Sequence, residues 1–211
     1  MKAFIVLLAL VSLGCSAPQQ RKVFHEHVED FLILIGDRVG QELTELAYQY
    51  SEFDEFQASL DYLASTDFKN LVFEMEALPE FKAVIDFLEQ DNIDILYFID
   101  RFNALLEGVP VVSKASKGVR VEPSGRDFTS FVRDNIDLFP KDELSALFDQ
   151  KIAEDDDFRV AFENLNSDEW RSIFGALWES EVFLAEVQTL ADNGIDFGIL
   201  IYEIVAIFGL N

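Results

Sequence analysis

Cysteine is all but missing: the single thiol, Cys15, falls among the first twenty residues. Those residues read as a secretory signal, with Lys2 as the positive start, Ala3 to Leu13 as the apolar core and Cys15-Ser16-Ala17 as a small-residue cleavage site. A mature chain beginning near Pro18 then carries no disulfide, no thiol nucleophile and no cysteine-ligated metal, so its stability rests on packing. Positive charge is scarce too. Forty acidic residues face 16 basic ones, for a net charge of -24, and such a surface repels phosphate backbones and anionic headgroups. Nucleic acid is therefore excluded as a partner. No Asn-x-Ser/Thr sequon occurs, and no Gly-rich phosphate loop, nucleophile elbow or zinc-protease motif. The acidic run Glu154-Asp155-Asp156-Asp157 lacks the glycine and closing glutamate of an EF-hand and reads as a capping turn. The two histidines, His25 and His27, are two apart, which on a helix puts them on different faces; exposed positions on a first helix are expected for both. Forty carboxylates will always supply some pair at acid/base distance, so such a pair has no specificity. No catalytic residue and no metal ligand is assigned, and no enzyme activity is expected.

What the chain has in abundance is hydrophobic surface. Half of its residues are hydrophobic and 21 are Phe, unlike an acidic disordered chain, which is poor in aromatics. These residues repeat. Adding 102 to the numbers from Phe56 to Leu106 lands on matching residues without a gap: Phe56 on Phe158, Leu63 on Leu165, Phe68 on Trp170, Phe81 on Phe183, Ile93-Asp94 on Ile195-Asp196. Upstream, Glu42-Leu43 matches Glu143-Leu144 at an offset of 101, and Asp30-Phe31 matches Asp127-Phe128 at 97. The expected organisation is a signal at 1–17, a first repeat at 18–107, a linker at 108–125 and a second repeat at 126–211. Neither histidine has a counterpart in the second copy.

Within each copy the apolar residues recur at steps of three and four, the period of a helix. Six short helices per copy are expected, near Lys22–Ile35, Gln41–Tyr50, Phe53–Ala64, Asp67–Ala77, Glu80–Gln90 and Asp94–Glu107. The second set falls near Arg126–Ile136, Lys141–Ala153, Asp155–Leu165, Asp168–Glu179, Glu181–Ala191 and Asp196–Leu210. Ser65 and Ser167, each followed by acidic residues, suit helix starts; Asp94 and Asp196 suit the N-caps of the last helices. Pro79 fits a first turn and Gly194 a helix end. Helices this short are marginal alone and hold only by burying their stripes. The linker carries the only basic run after the signal, Lys114, Lys117, Arg120 and Arg126 among Gly and Pro, and reads as a solvated connection or a strap across acidic helices. The last segment, Ile195 to Leu210, is apolar nearly all round. Its twin, Ile93 to Leu106, lies mid-chain, so both read as the most buried helix of each copy rather than a membrane anchor.

The stripes are the remaining candidates for function. In the first copy they run through Phe31 and Leu34, Leu43 and Leu46, Phe56, Leu60 and Leu63, Leu71, then Phe81, Ile85 and Leu88, and finally Phe98, Ile99 and Phe102. In the second they run through Phe128 and Phe131, Leu144 and Leu147, Phe158, Phe162 and Leu165, Ile173, then Phe183, Val187 and Leu190, and finally Leu200, Ile201 and Ile204. Twelve such helices can bury these faces in a solid core or wrap them around an apolar ligand.

The segments Asp67-Phe68-Lys69-Asn70-Leu71, Leu78-Pro79-Glu80-Phe81-Lys82 and Asn92-Ile93-Asp94-Ile95, with their second set, resemble the insect allergen-related repeat family, which includes gut allergens and nitrile-specifier detoxification proteins. The second copy departs from the pattern at Glu181-Val182-Phe183. The resemblance implies an all-α capsule, two tandem repeats of six amphipathic helices around a large hydrophobic cavity lined by the stripe residues just named. The implied ligand is a fatty acid or phospholipid, with no other cofactor. It further implies a secreted monomer of the gut lumen or microvillar surface that exchanges lipid with neutral or zwitterionic membranes, with membrane disruption as a corollary. A nitrile-specifier-like detoxification role and a ligand-free structural role at the gut surface are the alternatives. At roughly 24 cal/mol per Å³, an empty apolar space of about 1,000 Å³ costs on the order of 24 kcal/mol, more than the ~5 to 15 kcal/mol a domain has to spare. A cavity of that size would need lipid in it.

Overall fold

The computed structural model describes residues 23–100 and 122–210; the expected signal, Phe102 and most of the linker lie outside the described residues. Every regular element among those described is an α-helix. In chain order they are α1 (Phe24–Tyr50), α2 (Asp54–Leu63), α3 (Thr66–Ala77), α4 (Pro79–Gln90) and α5, which starts at 95 and is described to 100. After the linker come α6 (Phe128–Leu138), α7 (Lys141–Glu154), α8 (Asp156–Asn164), α9 (Asp168–Glu179), α10 (Glu181–Asp192) and α11 (Phe197–Ile207).

The two helices expected before Tyr50 are one helix of 27 residues. Gly36 and Gly40 lie in the expected gap between Ile35 and Gln41, yet the buried stripe crosses them unbroken: Val28, Phe31, Leu32, Ile35, then Leu43, Leu46 and Tyr50, with Val39 packed on the core between. Each glycine costs about 1 kcal/mol in a helix interior, and burying that stripe against α6, α7 and α11 outweighs it. The second copy does break. Phe139, held extended by the proline after it, ends α6, and Pro140 precedes α7.

Several ends are built as their residues dictate. Ser65 Oγ accepts from the Phe68 N–H at 3.1 Å and Ser167 Oγ from that of Trp170 at 3.0 Å. Asp155 and Asp196 cap α8 and α11 in the same way. Asp94 does not act as the expected cap. Its carboxylate turns to His25, accepting the backbone N–H at 3.0 Å and pairing with Nδ1, while Glu89 receives the Leu96 N–H at 3.0 Å. Gly194 (φ +77°) and Asn92 (φ 59°), 102 residues apart, both take the left-handed conformation that ends a helix.

The core lies between the halves. Long α1 packs on α6, α7 and α11, while α2 packs on α6 and α7 on α8. At the far side α4 packs on α9 and α3 on α10. Arg126, the last residue of the basic run, lies 3.3 Å from Glu55, with its guanidinium 5.1 Å from the Phe53 ring centre; Lys114, Lys117 and Arg120 lie outside the described residues.

Candidate functional site

Two aromatic clusters form the interior. Around Phe56 stand Phe128 (6.0 Å between ring centres, stacked), Phe131 (4.9 Å) and Tyr50 (5.7 Å). Around Phe158 stand Phe24 (5.8 Å, stacked), His27 (4.8 Å), Phe31, Phe148, Phe162 and Phe208. Phe158 is Phe56 plus 102, and Phe128 and Phe131 are Phe24 and His27 plus 104. The polar bonds beneath the two clusters also pair matching positions, the donors 101 residues apart and the acceptors 104. Tyr50 O–H donates to Asp134 Oδ2 at 2.6 Å, and Lys151 Nζ donates to Asp30 Oδ2 at 2.5 Å. Asp134 is Asp30 plus 104. The first helices therefore correspond at 104 and not at the 97 read from the letters.

His27 belongs to the second cluster and is buried, 5% exposed, not on the surface as expected. Its Nδ1 lies 3.2 Å from Lys151 Nζ and its Nε2 3.4 Å from Asp155. His25 is partly buried, stacked on Tyr97 at 3.9 Å. Periodicity put these residues on a helix, and only the neighbouring half determined which face was covered.

The stripe residues divide by what they touch. Phe31, Leu43, Leu46, Phe56, Leu60 and Leu71, with Phe128, Phe131, Leu144, Phe158, Phe183 and Leu190, are buried in one continuous core. Leu34, Leu63, Phe81, Leu88 and Phe98, with Leu147, Phe162, Ile173, Val187 and Leu200, are partly buried against it. Ile85, Ile99, Leu165 and Ile201 are half-buried, and Ile204 is 55% exposed. Aromatics outside the stripes also join the core, among them Tyr62, Trp170, Phe174, Trp178, Phe197 and Phe208. Phe208 meets four Phe rings although it lies past the end of α11, which stops at Ile207 short of the expected Leu210.

Helix α11 is not the most buried element. Ala206, Ile207 and the following Phe208 are covered, but Tyr202, Ile204 and Val205 are 42%, 55% and 40% exposed. An apolar sequence therefore presents an open face. Neighbouring α10 exposes Val182 and Leu184, and α3 beside it exposes Phe73. Glu203 sits within this apolar helix, and desolvation pushes its carboxyl from the ordinary 4.5 up to about 7. No helix among the described residues is long and apolar enough to cross a membrane.

A cleft of about 380 Å³ opens between α2, α3 and α10, lined by Tyr62, Asp67, Asn70, Leu71, Glu74, Glu186, Thr189 and Asn193. Its character is polar and acidic. Desolvation, then the neighbouring Glu74, raise the Glu186 carboxyl; burial, then Glu186 and Asp67, raise the Tyr62 phenol. Among the described residues no group of three or more His, Cys, Asp or Glu side chains is arranged to hold a metal.

A family described as insect allergen related repeat, nitrile-specifier detoxification, matches residues 23–201. Protein G12 of Anopheles gambiae is 22% identical over 213 residues, which cover 99% of this chain and 98% of that protein.

Proposed function

Because this chain belongs to the insect allergen related repeat family, we propose that it is a non-enzymatic lipid carrier. Two repeats of amphipathic helices would form a shell that holds fatty acyl chains or phospholipids against its apolar inner surface and trades them with membranes in the gut lumen. The observation that carries this reading is α11: Tyr202, Ile204 and Val205 keep their surface open on a helix that is otherwise apolar, beside Val182, Leu184 and Phe73. At about 25 cal/mol per Å², covering such surface with an acyl chain is favourable without any directional bond, so specificity for one lipid is not required. The buried stripes build the wall, and the open apolar side chains supply the contact. The net charge of -24 favours exchange with zwitterionic over anionic bilayers.

Native mass spectrometry of protein purified without detergent, followed by lipid extraction, tests the reading. Acyl lipid in stoichiometric amount supports it. A folded protein at its bare mass that also takes up no fluorescent fatty acid refutes it.

A further inference from the structure

The two outer seams of the molecule, α4 against α9 and α3 against α10, correspond at an offset of 102 but are filled differently. In the first, Phe87 lies 5.3 Å from Trp170, and Trp170 stacks on Phe174 at 5.2 Å. Buried Val84 and Leu177 complete the contact surfaces of those helices. In the second, the matching positions hold Thr189 for Phe87, Phe68 for Trp170, Val72 for Phe174 and Glu186 for Val84. Three large rings thus become smaller groups and an apolar side chain becomes an acid. The space left is the cleft of about 380 Å³.

We propose that the α3–α10 seam is the portal through which the apolar interior exchanges its contents, and that the Glu74–Glu186 pair controls its opening. The proposal rests on the lipid-carrier reading for what passes, but not for the motion itself. With a proton between them, the two carboxyls hydrogen-bond across the seam and hold α3 to α10. Once both are ionised, two like charges face each other where no aromatic packing resists separation. Acid closes the seam and alkali loosens it. The groups facing Glu186 from the packed elements are Tyr62 of α2 and Asp67 and Glu74 of α3, with Asn70 neutral beside them. Desolvation and Glu74 both raise the Glu186 carboxyl, and among the described residues no basic side chain lowers it.

Amide hydrogen exchange, corrected for the intrinsic pH effect, tests the motion. Transfer of a fluorescent fatty acid to zwitterionic vesicles tests the passage. In the wild type, α3 and α10 should exchange faster as pH rises from 5 to 8.5, while α4 and α9 stay protected, and lipid transfer should accelerate over the same range. Glu186→Gln should lose the pH dependence of both. The double variant Glu186→Val/Thr189→Phe, which copies the closed seam, should slow both at every pH. Should that variant fail to fold, Glu186→Gln alone decides. Equal protection of the two seams, or a pH response unchanged in Glu186→Gln, overturns the portal. A pH-dependent seam in a protein that takes up no lipid leaves the motion standing and removes the carrier.

Discussion

Glu203→Gln separates the charge of one acid from the packing around it. The carboxyl sits on α11 with its ionisation shifted from 4.5 to about 7 by desolvation alone. Below about pH 4.5 it is protonated folded or unfolded, and contributes no difference. As pH rises further the unfolded chain releases the proton while the folded protein keeps it, so stability falls. Above about 7 the folded carboxyl is ionised as well and the loss is complete. Between 4.5 and about 7, at about 1.36 kcal/mol per pH unit, the loss comes to roughly 3 kcal/mol, and residual contact with water reduces that to about 2. Glutamine imitates the protonated acid, so the variant should match the wild type near pH 4.5 and exceed it by about 2 kcal/mol at pH 8.5. For a chain of this length that is a rise in Tm of roughly 4 to 8 °C. Thermal unfolding followed by circular dichroism at both pH values measures it. A difference between the two proteins that is the same at pH 4.5 and 8.5 would refute the argument, because shape alone would then explain it.

Tyr50→Phe removes the hydroxyl that donates to buried Asp134 at 2.6 Å, leaving that carboxylate the Ser124 N–H at 2.8 Å. A loss of ~1 to 3 kcal/mol in urea denaturation is expected, and a loss under about 0.5 kcal/mol would show that the bond does not hold the halves together. Phe158→Ala removes the ring that six others surround and should cost about 3 to 5 kcal/mol by the same assay. Phe73→Ala, at a side chain 60% exposed, should cost less than about 0.5 kcal/mol; comparable losses at the two positions would contradict the assigned core.

Helical class and most boundaries were legible because they depend on neighbours in sequence. Ser65, Ser167 and Asp196 cap the helices that follow them, since a cap needs only a side-chain oxygen two or three residues from a free N–H. Features that depended on the other half were not legible. The continuity of α1 through Gly36 and Gly40 rests on burial against α6, α7 and α11, and a local count of helix-weakening residues points the other way. The match at 97 followed two similar letters. The match at 104 follows which rings and carboxylates meet. Asp94 has the residue type and position of a cap, and His25, 69 residues earlier, draws it away.

The sequence alone determined that the chain is helical, acidic and rich in Phe, and that its apolar stripes recur 102 residues apart; period, capping chemistry and composition act over a few residues, so they can be read in one dimension. Tertiary structure decided which stripes are covered. α11 and its neighbours show why: an apolar residue carries the same hydrophobic drive wherever it stands, but burial needs a partner surface, and Ala206 and Ile207 found one where Tyr202 and Ile204 did not.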